Sequence, residues 1–232
     1  MRTTVIGDVH GCLEELNQLL EALRLDHDDR VIFAGDLVHK GPDSEGVVRR
    51  VMALRDDVGE LVLVRGNHEE KACKQRLLNL TDDEWSFLAS SVYWYAGDGY
   101  LVVHGGIPTE LTELPADPRW VEGLSNSKRK YFDRMLRTRR IDAEGKFVAL
   151  ADTSPTDTFW AERYDGRFGH VYFGHEPFLG TVPEIFRHAV GTDLGCVFGR
   201  QLCAVFVEDG GRMAGSVTVQ AAQQYCEPRD VD

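Results

Sequence analysis

Residues 3–11 read TTVIGDVHG, a short apolar run that ends in a polar cluster flanked by glycines. The run over 3–6 predicts a β-strand, because β-branched residues fill it. Residues 12–23 then carry leucines three and four positions apart, which is the spacing of one buried helix face. A strand, a polar loop and an amphipathic helix in this order are typical of an α/β fold.

The same succession recurs along the first half of the chain. The further strands and helices predicted there cover 30–34, 44–54, 61–64 and 69–78. Thr81 has the capping-box spacing to Glu84, which predicts one more helix that continues through Ser90.

Strand patterns prevail beyond Tyr100. They cover 101–103, 171–173, 204–207 and 216–219. The sequence EDGG over 208–211 predicts a hairpin turn between the last two. We therefore predict a fold of mixed α/β and α+β character, in which two mixed β-sheets pack as a sandwich flanked by helices. We expect a single domain over 1–232, with a helical insert or cap around 108–158.

The composition narrows the class of protein. The 232 residues are 43 % apolar, as in ordinary globular chains, and 38 acidic against 26 basic residues give a net charge of −12. An acidic balance disfavours a protein that coats nucleic acid or an anionic membrane. No apolar stretch approaches the roughly 18 residues of a transmembrane helix, and the scattered cysteines are typical of reduced thiols. We expect a cytoplasmic protein with no membrane partner, and the sequence predicts no oligomeric state.

Polar clusters follow five of the predicted strands, directly after the strand ends. Because the carboxyl ends of strands meet at one crevice of an α/β sheet, we expect the clusters to form one site. Carboxylate, imidazole and amide groups suit manganese, iron, zinc or nickel, and the absence of cysteine disfavours a closed structural zinc site. The candidate metal ligands are Asp8, His10, Asp36, Asn67, His104 and His175.

The motifs GDVHG (7–11), GDLVHKG (35–41), RGNHE (65–69), HGG (104–106) and GH (174–175) occur in this order. The series resembles the calcineurin-like metallophosphoesterases, and within them the bacterial branch of the phosphoprotein phosphatase family. That branch includes protein phosphatases, symmetrical diadenosine tetraphosphatases and a polynucleotide end phosphatase. The resemblance implies a four-layer sandwich and a dinuclear centre, with manganese expected first and iron, zinc or nickel as alternatives. A hydroxide that bridges the two ions would attack phosphorus directly.

The resemblance also implies a role for each motif residue. Asp8, His10 and Asp36 would hold the first ion, and Asp36 would share the second ion with Asn67, His104 and His175. His68 would be the general acid, and Arg65 and Lys40 would hold the phosphate oxygens.

One position departs from the family pattern. His39 stands where an aspartate usually orients the acid histidine, and Lys40 stands where an arginine usually binds phosphate. A histidine cannot act as a carboxylate partner, so we expect Asp43 or Glu69 as candidates for that role and a lower activity or a narrower substrate range.

The expected reaction is hydrolysis of a phosphoester, and four hypotheses for the function of the protein remain. A phosphoserine or phosphothreonine protein is the leading substrate, and a dinucleoside polyphosphate cut symmetrically is the first alternative. Terminal or cyclic phosphates of nucleic acids fit less well with the net charge. A regulatory protein that keeps the metals without catalysis is the non-enzymatic alternative. A basic run over 128–140 is interpreted as a solvated helix face, or as a surface that steers an anionic substrate.

Overall fold

Two five-stranded sheets lie at the centre of the computed structural model, which describes residues 1–228. The first sheet has the spatial order 13-12-1-2-3 by strand number. Its members are β1 (Arg2–Ile6), β2 (Asp29–Phe33), β3 (Glu60–Leu63), β12 (Gln201–Val207) and β13 (Met213–Gln220). The strands β1, β2 and β3 run parallel, and β12 pairs antiparallel with β1. The predicted hairpin joins β12 to β13, and the Gly211 amide donates to the Glu208 carbonyl 3.0 Å away in its turn.

The second sheet has the spatial order 10-11-9-5-4. Its members are β4 (Trp94–Gly97), β5 (Tyr100–Val103), β9 (His170–Phe173), β10 (Glu184–Ile185) and β11 (Ala189–Gly191). The strands β5, β9 and β11 run parallel, so their carboxyl ends share one edge.

Six α-helices lie in the described part of the chain. They are α1 (Leu13–Leu23), α2 (Ser44–Ala53), α3 (Asn67–Gln75), α4 (Asp82–Ala89), α5 (Asn126–Met135) and α6 (Trp160–Arg163). Short 3₁₀ helices cover Leu54–Asp56, Pro118–Gly123 and Leu150–Asp152. The capping box predicted for α4 is present: the Thr81 amide donates to Glu84 Oε2 (2.8 Å), and the Glu84 amide donates to Thr81 Oγ1 (3.3 Å).

Three apolar clusters separate the layers. In β1 the side chains alternate, so Val5 packs between the sheets while Ile6 packs beneath the helices. Leu16 of α1 belongs to the Ile6 cluster, and Met135 of α5 packs on the outer face of the second sheet. The order helix, sheet, sheet, helix confirms the predicted four-layer sandwich.

The insert over 108–158 is only partly helical. It holds α5 and two of the 3₁₀ helices, but also β6 (Arg140–Ile141) and β7 (Phe147–Val148), which form a small sheet with β8 (Thr158–Phe159). Strands of two residues are too short to show an alternating pattern, which is why the sequence did not reveal them. No helix within residues 1–228 has the length and apolarity needed to cross a bilayer.

Candidate metal centre

The carboxyl ends of five strands meet at one cleft. Asp8 and His10 follow β1, Asp36 follows β2, and Asn67 opens α3 just beyond β3. His104 and His175 follow β5 and β9 of the second sheet. The residues that line the cleft are His10, Asp36, Lys40, Asn67, His68, Arg139, His175, Pro177, Asp193 and Phe198.

Asp36 lies at the centre of the cleft. Its Oδ2 atom is 3.2 Å from His104 Nε2, 3.6 Å from His10 Nε2 and 4.0 Å from His68 Nε2. The Asp36 side chain is buried, so it contacts these imidazoles and not bulk water. A single carboxylate between imidazoles from both sheets has the position that a shared ligand of two ions would need.

Backbone carbonyls fix the orientation of two imidazoles. His104 Nδ1 lies 2.9 Å from the Ala34 carbonyl, and His10 Nδ1 lies 3.2 Å from the Val38 carbonyl. A carbonyl can only accept, so Nδ1 of each ring carries the proton and Nε2 faces Asp36. This arrangement is usual for metal-bound histidines.

His175 and Asp8 complete the set from opposite sides. The His175 amide donates to Asp8 Oδ1 (3.2 Å) and Oδ2 (3.0 Å), which ties the two loops together. A Cβ atom at Gly174 would lie 1.9 Å from Asp8 Oδ1, so only glycine permits this approach. The Nε2 atom of His175 is buried without a hydrogen-bond partner. A buried polar atom of this kind needs a partner, and a metal ion supplies one.

Two groups of side chains have ligand atoms close enough together to hold an ion. Ligand atoms of Asp36, His104 and His175 lie within 4.8 Å of one another, and so do those of His10, Asp36 and His68. The second group includes His68, which the sequence analysis treats as the acid. These donors are imidazole and carboxylate, which suit borderline divalent ions.

The electrostatics of the cleft favour a bound cation. Burial and the neighbouring Asp193 raise the pKa of Asp8 well above its usual range, and burial raises the pKa of Asp193 to about 6. Burial lowers the pKa of His10 to about 3, so the ring is neutral and able to bind an ion. Burial acts in the same direction on His104, but Asp36 and Asp8 outweigh it and raise the pKa of that ring to about 9.

The backbone of the site adopts an uncommon conformation at five positions. His10, Asp36, His39, Lys40 and His175 all have positive φ, from 48° to 71°. Among the described non-glycine residues only two others do, and both of these end helices. Such backbone is costly outside glycine and is concentrated at functional sites. The glycine-rich motifs did not reveal it, because the strained residues are candidate ligands (His10, Asp36 and His175) and their neighbours His39 and Lys40 rather than glycines.

Glu69 organises the loop that carries Asp36. Its carboxylate accepts hydrogen bonds from the backbone amides of Asp36 (2.7 Å), Leu37 (2.8 Å) and Gly66 (2.9 Å). Burial and the charge of Asp36 raise the pKa of Glu69 to about 7. Glu69 therefore holds the loop after β2 against the start of α3, a role that the sequence analysis did not assign to it.

The partner of His68 is His39 itself. The two Nδ1 atoms lie 3.0 Å apart, so one ring donates to the other. Asp43 instead accepts from the Gly46 amide at the start of α2, and Glu69 binds the backbone amides described above. The sequence expected one of these carboxylates to replace the missing aspartate, and the structure places neither beside His68 Nδ1.

The cationic side chains of the cleft differ from the expectation in one respect. Lys40 lines the cleft as expected, with its Nζ atom 5.6 Å from the centre of the Phe198 ring. Arg65 does not: its guanidinium binds Glu122 Oε1 (2.8 Å) and the Ser91 carbonyl (2.8 Å), and it lies outside the cleft-lining set. The side chain turns toward the segment after α4, where it has fixed acceptors.

Arg139 occupies the cleft together with Lys40. It is buried, donates to the His175 carbonyl (2.9 Å) and pairs with Glu176 (2.9 Å). The sequence analysis treated it as part of the basic run over 128–140. The run is divided in the structure, because α5 ends at Met135 and the chain then turns inward toward β6. No sequence pattern distinguishes Arg139 from the rest of the run, because β6 is too short to show the alternation of a strand.

Comparisons with known proteins agree with this geometry. The model of the family described as calcineurin-like phosphoesterase matches residues 1–211. The asymmetrical bis(5′-nucleosyl)-tetraphosphatase PrpE of Oceanobacillus iheyensis is 29 % identical over 88 % of this chain and 88 % of its own. The symmetrical bis(5′-nucleosyl)-tetraphosphatase of Janthinobacterium sp. is 27 % identical over 90 % of this chain and 94 % of its own. A crystal structure described provisionally as a diadenosine tetraphosphatase has a TM-score of 0.72 and 27 % identity, and the match covers 95 % of this chain and 93 % of that one.

The family match spans both sheets except for the last strand, and it includes every predicted metal ligand. It confirms the resemblance that the five ordered motifs indicated. The chain therefore belongs to the calcineurin-like phosphoesterases, a family of hydrolases that bind divalent metal ions at a dinuclear site.

Proposed function

We propose that the protein hydrolyses a phosphoric anhydride bond of dinucleoside tetraphosphates at the cleft around Asp36. The observation that carries the proposal is the convergence of three imidazole Nε2 atoms on Asp36 Oδ2 beside two cationic side chains, Lys40 and Arg139. The substrate class is supported by the two curated relatives, both named as bis(5′-nucleosyl)-tetraphosphatases and both matched along most of their length.

The donor set would divide between two ions. Asp8, His10 and Asp36 would hold the first, and Asp36, Asn67, His104 and His175 the second. Manganese is the proposed metal because its preference for carboxylate and carbonyl oxygens matches Asp8, Asp36 and Asn67. When bound, the ions would neutralise phosphate charge and activate a water molecule for attack on phosphorus.

The side chains of the cleft bind and orient the substrate. Lys40 and Arg139 hold the non-bridging oxygens of the phosphoryl group under attack, and the planar guanidinium can bind two of them at once. Glu176 holds Arg139 in place from one side, and the His175 carbonyl holds it from another. His68 holds a proton at Nε2 for the departing oxygen, with His39 fixing its Nδ1 atom.

The chemistry of the leaving group favours an anhydride over a phosphoserine. A serine alkoxide must be protonated as it leaves, whereas a nucleotide phosphate has a last pKa of about 6 and leaves without a strong acid. The acid here is supported by an imidazole rather than by a carboxylate. An anhydride substrate tolerates this weaker support better than a phosphoprotein does.

A cytoplasmic location is part of the proposal. The five cysteines form no disulfide, and all of them lie in the described part of the chain. This is the state expected in a reducing compartment.

A substrate panel tests the function. Diadenosine tetraphosphate, a phosphoserine peptide and a 5′-phosphorylated oligonucleotide are assayed with the same manganese concentration. We expect kcat/KM for the tetraphosphate to exceed the others by about a hundredfold, which corresponds to about 2.7 kcal/mol of transition-state binding. A higher value for the peptide would contradict the proposal, and zero turnover with full metal occupancy would favour the regulatory alternative.

The products distinguish the two modes of cleavage. Symmetrical hydrolysis gives two molecules of ADP, and asymmetrical hydrolysis gives ATP and AMP. We expect the symmetrical products, which correspond to the first alternative of the sequence analysis, and chromatography of a single-turnover reaction separates the outcomes.

A further inference from the structure

Two thiols and a carboxylate meet in the core beneath the first sheet. Cys12 directly precedes α1, Glu15 lies in the first turn of that helix, and Cys196 lies in the loop between β11 and β12. All three are at most 1 % exposed. One ligand atom from each side chain lies within 4.8 Å of the other two.

The carboxylate of Glu15 is only half satisfied. Its Oε1 atom accepts hydrogen bonds from the Ala222 amide (2.9 Å) and from the Tyr225 hydroxyl (2.9 Å). Its Oε2 atom is buried without a hydrogen-bond partner. An unpaired carboxylate oxygen in an apolar cluster is costly, so this atom calls for a cation or a donor. Among the described residues, no Lys, Arg or His side chain forms an ion pair with Glu15.

We propose that Cys12 Sγ, Cys196 Sγ and the Glu15 carboxylate bind one divalent ion of the borderline class, with Zn²⁺ as the best match. Two sulfur donors and one oxygen donor select zinc over manganese, magnesium or calcium. Each thiol releases its proton to water when it binds the ion, so the thiolate and carboxylate charges offset the ion's charge. Three protein donors and one water make the coordination number of four that zinc usually adopts.

The proposed zinc site differs in chemistry from the cleft around Asp36, which contains no sulfur donor. It does not rest on the proposed function. Its place in the fold gives it a structural effect, because Cys12 follows His10 by two residues and Cys196 follows Asp193 by three. An ion there would join the loop after β1 to the loop after β11. Through Glu15 it would also join the segment around Tyr225.

Cobalt substitution tests the proposed zinc site. The chain is stripped of metal under denaturing conditions, refolded with Co²⁺ and freed of excess ion. Thiolate-bound Co²⁺ has a near-ultraviolet charge-transfer absorption that imidazole and carboxylate ligands do not produce. We expect this absorption in the wild-type chain, together with about one equivalent of Co²⁺ per chain beyond those in the cleft.

Variants assign the absorption to its ligands. Cys12→Ser and Cys196→Ser should each abolish the band and lower the cobalt content by about one equivalent. Cys203→Ser is the matched control, because Cys203 is buried between the sheets and belongs to no ligand cluster of the described residues. It should keep the band.

Three results would overturn the proposal. The first is a wild-type chain without the band, which needs no variant to interpret. The second is a band that survives in both ligand variants, with folding checked by circular dichroism. The third is a band lost in Cys203→Ser alone. Hydrolase activity is not a readout here, so a failed substrate assay leaves the result unaffected.

Discussion

The contact between His39 and His68 lies where the family pattern has an aspartate beside the proposed acid, His68. Only one proton lies between the two Nδ1 atoms, so one ring must accept while the other donates. A charged His68 therefore requires a neutral His39. A carboxylate in place of His39 would favour the charged form of His68 and raise its pKa.

We predict that His39→Asp raises the pKa of His68 and so changes the pH–rate profile. The limb of the pH–rate profile that reports loss of the acid should move to higher pH, and kcat on a phosphomonoester should rise by about tenfold. The rate on diadenosine tetraphosphate should change less, because its leaving group needs less protonation. His27→Asp at an exposed position is the control. Unchanged rates and pH profile in His39→Asp would show that the pair has no such role.

The two arginines near the cleft should respond differently to mutation. Arg139→Ala removes a proposed phosphate contact, so we expect kcat/KM to fall by about 10- to 100-fold, or about 1.4–2.7 kcal/mol, and Tm to fall as well because the His175 carbonyl and Glu176 lose their donor. Arg65→Ala leaves the acceptors around Ser91 without their donor, so it should lower Tm more than it changes KM. Arg140→Ala, at the neighbouring exposed position, is the control. A fall in kcat/KM in Arg65→Ala, without one in Arg139→Ala, would instead assign the phosphate contact to Arg65.

The helix α3 carries two site residues and is anchored by Glu70. The carboxylate is 2.6 Å from Lys74 Nζ and 3.2 Å from Arg137 Nη1, so it ties α3 to the segment that leads to Arg139. Burial acts to raise the pKa of Glu70, but the hydrogen bond and charge of Lys74 and the charge of Arg137 outweigh it, and the pKa lies below the usual 4.5.

We predict a pH-dependent contribution of Glu70 to stability. Because its pKa is lower in the folded chain, the contribution is complete above the unfolded value of 4.5 and is lost as the pH falls through the folded value. Glu70→Gln should lower the free energy of unfolding by about 1 kcal/mol at neutral pH, and the difference should disappear in acid. Urea unfolding across this pH range measures it, with exposed Glu21→Gln as control. A difference that is constant with pH would exclude the ion pairs as its cause.

Metal affinity should depend on pH through His104. In the metal-free chain this ring has a pKa of about 9, so it holds a second proton at neutral pH and must release it to bind an ion. The apparent affinity for Mn²⁺ should therefore increase by up to about tenfold per pH unit between roughly pH 6.5 and pH 8.5. Calorimetry in buffers of different ionisation enthalpy measures both the affinity and the proton release. A constant affinity without proton release would contradict the protonation of His104.

The two central sheets, and the meeting of six candidate ligands at one cleft, followed from strand ends, because a strand's position in a sheet fixes where the next residues lie. Asp36 and His104 could be assigned to one cleft for this reason, although they come from different sheets. The rest depends on contacts that no local pattern encodes. The inward turn that places Arg139 in the cleft, and the fixed acceptors that hold Arg65 outside it, depend on how the insert packs. The positive φ angles at the ligands likewise arise from tertiary packing.

The two sheets meet across an apolar cluster that includes Val5, Val102 and Tyr172. This packing fixes the distance between the loops of the first sheet and those of the second, and so sets the spacing of the candidate ligands. A dinuclear centre at the cleft requires a spacing that suits two ions sharing Asp36. Crystals grown with Mn²⁺ and measured for anomalous scattering at the manganese edge test it most directly. We predict two peaks about 3.5–4 Å apart on either side of the Asp36 carboxylate. A single peak, or peaks that do not contact Asp36, would contradict the dinuclear centre.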